Sequence, residues 1–107
     1  MIYGNSAHEI EEVDEGKIFE SLLKIARDEG LRVSFVPFQA SYGRVKGDRI
    51  GLYIGMGLHD INYTFAHELA HHFLHYDKGD AINSNENQEY EEQADRAAKM
   101  LLDALVM

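Results

Sequence analysis

The stretch FAHELAHH, residues 65–72, contains the pattern HExxH in His67, Glu68 and His71. If this stretch is helical, His67 and His71 are one turn apart on the same face, and Glu68 projects beside them. Two imidazoles can then hold one Zn²⁺, and a third ligand leaves one tetrahedral position open for water. A nearby carboxylate can accept the proton when that water attacks a carbonyl. The stretch predicts a zinc-hydrolase site with His67 and His71 as metal ligands and Glu68 as the catalytic base.

The third ligand is expected from an acidic stretch at residues 91–95, which reads as part of another helix. Glu91 shares a helical face with the small residues Ala94 and Ala98, which indicate the side that faces the core. Glu92 is rotated away from that face by about 100°. We therefore expect Glu91 to be the third zinc ligand, with Glu92 as the alternative.

Asp95 follows Glu91 by one helical turn and lies on the same face. An acid at this position can accept the free ring N–H of a ligand histidine and so fix the tautomer of the ring. The simpler interpretation for neighbouring acids is a solvated surface near a helix N-terminus, where carboxylates are favoured. We apply that interpretation to Glu89 and Glu92.

The composition is that of an ordinary globular protein, with 45% hydrophobic and 27% charged residues among 107. It predicts one domain over residues 1–107, with residues 1–13 as a loose N-terminal arm. The chain contains no Cys, so a metal site must use His and carboxylates, and a cytoplasmic location is expected. No signal peptide or run long enough to span a membrane is visible. A net charge of −9 argues against direct nucleic-acid binding.

The hydrophobic pattern predicts an α+β domain that positions the site. A helical stripe runs from Asp14, a plausible cap, to Gly30. Alternating residues over 31–54 then predict a small antiparallel three-stranded sheet, with residues 39–45 as the middle strand. The motif helix follows, capped by Asp60 and ending near residues 78–79. A C-terminal helix, capped by Asn85 and Gln88, supplies Glu91.

Other polar residues near the motif have open roles. His75 lies two turns beyond His67, about 12 Å along the helix, so the two cannot share an ion. His72 is rotated to the Glu68 side. We interpret these histidines and His59 as packing residues, with substrate contact as the alternative. The candidates for the donor that stabilises the transition state are Tyr42, Tyr53, Tyr63, His59 and His75.

The chain resembles the ImmA/IrrE metallopeptidases. The resemblance rests on RIGL at residues 49–52, on YTFAHELAH at 63–71 followed by Leu74-His75, and on a third segment. That third segment is Glu91-x-Gln93-Ala94-Asp95-x-Ala97-Ala98-x-x-Leu101-Leu102. The likeness covers roughly residues 15–105. The chain departs from the family pattern at Ala70, at Ala97 and at Asp103-Ala104, and none of these changes removes a ligand.

The resemblance implies a minimal, single-domain, gluzincin-like fold with one zinc held by His67, His71 and Glu91, and with Glu68 as the base. It also implies that the substrate is a protein, such as a transcriptional repressor encoded nearby in a phage, a mobile element or a stress response. We expect the peptide to bind by strand addition at the sheet edge near residues 50–54. The alternative is a metal-stabilised module that sequesters a regulator without cleavage. Glu68 argues against that module, because a structural zinc site needs no such carboxylate.

Overall fold

A computed structural model describes residues 13–37, 43–75 and 87–106 of the chain. They form three helices and three strands in the predicted order. The elements are α1 (Glu15–Asp28), β1 (Arg32–Val36), β2 (Gly43–Lys46), β3 (Arg49–Tyr53), α2 (Leu58–His75) and α3 (Asn87–Leu105). The α+β class is therefore as predicted.

Local signals in the sequence account for both ends of α1. The Asp14 carboxylate accepts a hydrogen bond from the Lys17 backbone N–H at 3.1 Å, as an N-cap does. At the other end, Gly30 has a φ of 74°, a left-handed conformation that glycine adopts without strain. The Leu31 N–H then bonds the Ala26 carbonyl and the Gly30 N–H bonds the Arg27 carbonyl, which forms a Schellman motif. This motif turns the chain directly into β1.

The sheet is mixed, so the prediction of an antiparallel sheet was wrong. β2 pairs antiparallel with β3, but β1 pairs parallel with β3, with Val33 opposite Ile50 and Phe35 opposite Leu52. The strand order is β1-β3-β2, so the strand second in sequence lies at one side and β3 lies in the centre. The alternation of side chains has a period of two in either orientation. The pattern that predicted the strands therefore carried no information on their direction.

The central position of β3 also overturns the expected substrate-binding edge near residues 50–54. Both sides of β3 are occupied by hydrogen-bonded neighbours. β2 joins β3 through a two-residue turn in which Gly47 has a φ of 60°, as the first position of a type II′ hairpin requires. In the described sheet, the outer strands are β1 and β2.

Helix α2 lies at the centre of the molecule and contacts α1, α3 and the strands β2 and β3. Phe65, Ala66 and Leu69 of this helix are completely buried. The core that surrounds them also contains Ile18, Leu22, Ala26, Leu31, Ile50, Leu52, Ile61 and Ala98. On α3, Ala94 and Ala98 are fully buried, and such small side chains allow two helices to approach closely.

Some sequence predictions concern helix ends. α2 begins at Leu58, so Asp60 lies within the first turn and is not the cap, although an acid there still favours the helix dipole. Several predictions lie outside the described residues. These are residues 1–12 of the N-terminal arm, part of the predicted strand at 39–45, the expected helix end at 78–79 and the cap at Asn85. Within the described helices, none is long and apolar enough to cross a membrane.

Candidate metal centre

The motif helix brings its histidines to the face of α2 that meets α3. His71 is buried, with 8% of its side chain exposed, and His67 is 22% exposed. Their rings are 4.8 Å apart between centroids, as expected for residues one turn apart on the same face. The two imidazoles therefore form one pair of nitrogen donors at the interface between the helices.

Glu91, in the first half of α3, completes the cluster. Its Oε1 atom is 2.7 Å from His71 Nε2 and 3.4 Å from His67 Nε2. The ligand atoms of the three residues all lie within 4.8 Å of one another. Glu92, the alternative ligand, is exposed, so the structure brings the residue favoured by helical phase to the histidines.

The cluster fits a metal ion in its geometry and in its donor types. Ligand atoms around a tetrahedral zinc with bonds of 2.0–2.1 Å are about 3.4 Å apart. The separations here, 2.7 and 3.4 Å from Glu91 and within 4.8 Å for all three ligand atoms, lie on both sides of that value. His67 Nε2 is buried and makes no hydrogen bond in the structure, because its 3.4 Å approach to Glu91 lacks hydrogen-bond geometry. A buried polar atom without a partner costs about 1–3 kcal/mol. A cation between these residues would remove that cost.

The electrostatics of His67 also suit a ligand. Burial lowers the pKa of His67, the charge of Glu91 acts in the opposite direction, and the neighbouring His71 lowers it further. A lowered pKa favours the neutral imidazole, which is the form that binds a metal. Desolvation of the ring therefore prepares it for coordination.

Glu68 lies on a different face of α2 and is buried, with 8% exposure. Burial and the nearby negative charge of Glu91 together raise its pKa to about 7, and a hydrogen bond from the Val45 backbone N–H acts in the opposite direction. A carboxyl group with such a pKa can exchange a proton near neutral pH. The contact also connects the motif helix to strand β2.

The structure places Asp95 one turn beyond Glu91, where its carboxylate pairs with Lys99 at 3.3 Å. Both side chains are substantially exposed, and such pairs contribute little to stability. The sequence predicts that Asp95 also accepts a hydrogen bond from the ring N–H of a ligand histidine. Its orienting role stays a prediction.

The residues considered for substrate contact or for stabilising the transition state lie at different places in the fold. The Tyr63 ring is beside His67, at 6.2 Å between centroids. His59 bonds Glu15 at 2.9 Å, and His72 Nε2 is 3.3 Å from the Glu29 carboxylate. Tyr53 is half-buried at the end of β3. Tyr42 and the side chain of His75 lie outside the described residues.

Sequence reasoning missed two polar features. One is the Val45 N–H that holds Glu68, a backbone contact that no residue type could indicate. The other is Asn62, which is almost completely buried and donates from Nδ2 to the carbonyl and the carboxylate of Glu15, at 2.9 and 2.7 Å. The sequence feature that could have indicated this contact is a polar residue at a core-facing position of α2.

The fold and this cluster define a class of protein, the small α+β domains in which an HExxH helix meets a second helix that carries a glutamate. The family model for peptidase M78, described as the IrrE N-terminal-like domain, matches residues 26–102. The chain belongs to this family, which confirms the resemblance and implies a metallopeptidase. No curated protein and no solved structure shows a significant match to the chain.

Proposed function

We propose that the protein is a zinc-dependent endopeptidase that cleaves a protein substrate, such as a transcriptional repressor encoded nearby. The convergence of His67, His71 and Glu91, with Glu68 buried beside them, is the observation that supports this function most strongly. Two histidines and one carboxylate are a donor set that catalytic zinc sites use, and three protein ligands leave one position open. Membership of the M78 family supports the same reaction class.

Zinc bound by these residues would supply Lewis-acid activation of water and of the peptide carbonyl. Glu68 acts as the general base, which accepts the proton from the attacking water and then delivers it to the departing amine. Burial raises the pKa of this carboxyl group, and burial is one way in which enzymes adjust a carboxylate for proton transfer. The Val45 N–H faces this carboxylate and favours its charged form.

The substrate would lie along β2. This strand is an outer strand of the described sheet, and its residue Val45 contacts Glu68. An extended peptide that pairs with an outer strand gains main-chain hydrogen bonds that do not depend on sequence. We therefore move the proposed binding edge from residues 50–54 to β2.

Glu68→Gln is the variant that tests this function. Glutamine retains the size of the side chain but cannot accept the proton, so the variant should fold, retain zinc and lose at least about 10²-fold in cleavage rate. Wild type and the variant are co-expressed with the repressor encoded beside the gene, and both repressor length and reporter expression are measured. We expect truncation of the repressor by the wild type alone.

Equal derepression by both proteins, with the repressor intact, would contradict the peptidase function. It would show instead that the protein sequesters its partner without cutting it. Zinc analysis of the purified variant is the control, because loss of the metal would also abolish cleavage.

A further inference from the structure

A pocket of about 550 Å³ is lined by none of the three candidate metal ligands. It is lined by Glu29 and Leu31 after α1, by Gly47 and Asp48 in the β2–β3 turn, and by His72 and Phe73 of α2. Its size is within the range of small-ligand and side-chain pockets. Three separate parts of the fold therefore border one open pocket.

The cavity is connected to the site by both α2 and β2. His72 is one turn beyond Glu68 on the same face, about 6 Å along the helix axis. Gly47 follows Val45 by two residues, about 7 Å of extended chain. A peptide along β2 advances by about 3.3 Å per residue, so a side chain within about two residues of the cleaved bond can enter the cavity.

The lining residues combine an apolar wall with negative charge. Leu31 is buried, and Phe73 exposes about half of its surface (52%). Glu29 and Asp48 contribute two carboxylates, and none of the lining residues is a lysine or an arginine. A long aliphatic side chain with a cationic end matches both properties, because its methylene groups can cover apolar surface while its charge meets a carboxylate.

The present partners of these carboxylates do not close the site to a ligand. Asp48 pairs with Arg32 at 3.4 Å, and both side chains are more than half exposed, so this ion pair contributes little. Glu29 lies 3.3 Å from His72 Nε2. That contact directs the Glu29 carboxylate toward the cavity wall that His72 forms.

We propose that this cavity is a specificity subsite for a lysine or arginine side chain of the protein substrate, with Glu29 as its principal charge partner. The proposal rests on the proposed peptidase function and adds a substrate preference to it. A repressor suits this preference, because proteins that bind DNA need basic segments to neutralise phosphates.

The test uses the full-length, zinc-loaded protein and peptides made by cutting a bacterial proteome after glutamate, which leaves internal lysines and arginines intact. Mass spectrometry of the products should show lysine or arginine enriched at one fixed position near the cut bond. Synthetic peptides then carry lysine, norleucine or glutamate at that position. Norleucine retains the aliphatic chain but has no charge, so it separates the two contributions.

Glu29→Gln should reduce kcat/KM for the lysine peptide about tenfold, the loss expected for one charge-assisted contact, and should leave the norleucine peptide unchanged. Glu29→Lys should shift the preference to the glutamate peptide. Glu20→Gln removes an exposed carboxylate of α1 and is the matched control, with no expected change. All variants should contain zinc at the wild-type level.

Cleavage by the wild type without a basic preference, or a preference that Glu29→Lys does not alter, would overturn the subsite and leave the peptidase function standing. If no peptide is cleaved, NMR titration with the peptide acetyl-Ala-Ala-Lys-Ala-Ala-amide separates the two proposals. Shifts of the Leu31 and Phe73 amides that Glu29→Lys abolishes would support the basic subsite without the peptidase. If these amides do not shift, or shift equally in Glu29→Lys, the subsite is refuted.

Discussion

His67 Nε2 is the atom that points most directly to a bound cation. It is buried, it makes no hydrogen bond in the structure, and burial lowers the pKa of its ring. His71 Nε2, by contrast, lies 2.7 Å from Glu91. One cation placed among these three side chains would satisfy the unpaired nitrogen of His67 and the carboxylate of Glu91 together.

The first prediction at the residue scale concerns the identity of the third ligand. The purified protein should hold about one Zn²⁺ per chain, as three-ligand catalytic sites do. Glu91→Ala should lose the metal, because Glu91 Oε1 is the carboxylate atom near both histidines. Glu92→Ala is the matched control, since Glu92 is exposed, and should retain it. Elemental analysis measures both, and the reverse result would refute the ligand assignment.

The second prediction concerns Asp95. If its carboxylate orients a ligand histidine in the loaded protein, Asp95→Ala should weaken zinc affinity by roughly 10- to 100-fold without abolishing binding. A competition titration with a chromophoric chelator measures the affinity. Asp103→Ala removes an exposed acid of the same helix and serves as the control. If Asp95→Ala binds zinc as tightly as this control, Asp95 belongs only to the surface pair with Lys99.

At the scale of elements, the starts of α1 and α2 are joined by a polar cluster. His59 and Asn62 of α2 both bond the carboxylate of Glu15 in α1. The bonds from His59 and Asn62 lower the pKa of Glu15, whereas the bond to Glu15 raises the pKa of His59, to which Asp60 also contributes. These shifts make the contact between the two helices dependent on pH.

The third prediction gives the sign of that dependence. Because the pKa of His59 is raised in the folded state, the protonated ring stabilises the fold fully below pH 6.5, its unfolded pKa. This stabilisation is lost as the pH rises through the folded pKa. Because the pKa of Glu15 is lowered in the folded state, the charged carboxylate stabilises the fold above pH 4.5, its unfolded pKa. This stabilisation is lost as the pH falls through the folded pKa. His59→Ala should therefore reduce Tm most between about pH 4.5 and 6.5. His59 is mostly exposed, so we expect the variant to lose at most about 1 kcal/mol of unfolding free energy. Thermal melts of wild type and variant at pH 5.5 and 8.5 measure the reduction in Tm, and equal reductions at the two pH values would contradict the mechanism.

The elements also show what the sequence could and could not predict. The ends of α1 were predictable because Asp14 and Gly30 act through neighbouring backbone groups. The position of Glu91 beside the histidines was predictable, because helical phase relates it to Ala94 and Ala98 within one element. The direction of β1 was not predictable, since the alternation of Val33 and Phe35 is the same in parallel and antiparallel pairs. Contacts such as Val45 with Glu68 join distant segments, and they depend on the sheet order that the pattern leaves open.

At the scale of the whole molecule, the candidate metal centre lies between α2 and α3. Within the described residues, α3 packs mainly on α2 and has fewer contacts with α1. Glu91 lies near the start of α3, and both histidines belong to α2. An ion held by all three residues would cross-link the two helices at the end of their interface where α3 begins.

The last prediction follows from this cross-link. Because the ion binds only the folded protein, free zinc at a hundredfold above its Kd should stabilise the fold by about 2.7 kcal/mol, and chelation should lower Tm by about 10 °C or more. Hydrogen exchange should show where the protein loosens. Amides of α3 should exchange faster after chelation, whereas those of α1 and β3, which pack mainly against other elements, should change less. Glu91→Ala should show fast α3 exchange with or without chelator. If chelation removes the zinc and leaves both Tm and α3 exchange unchanged, the ion does not join the helices.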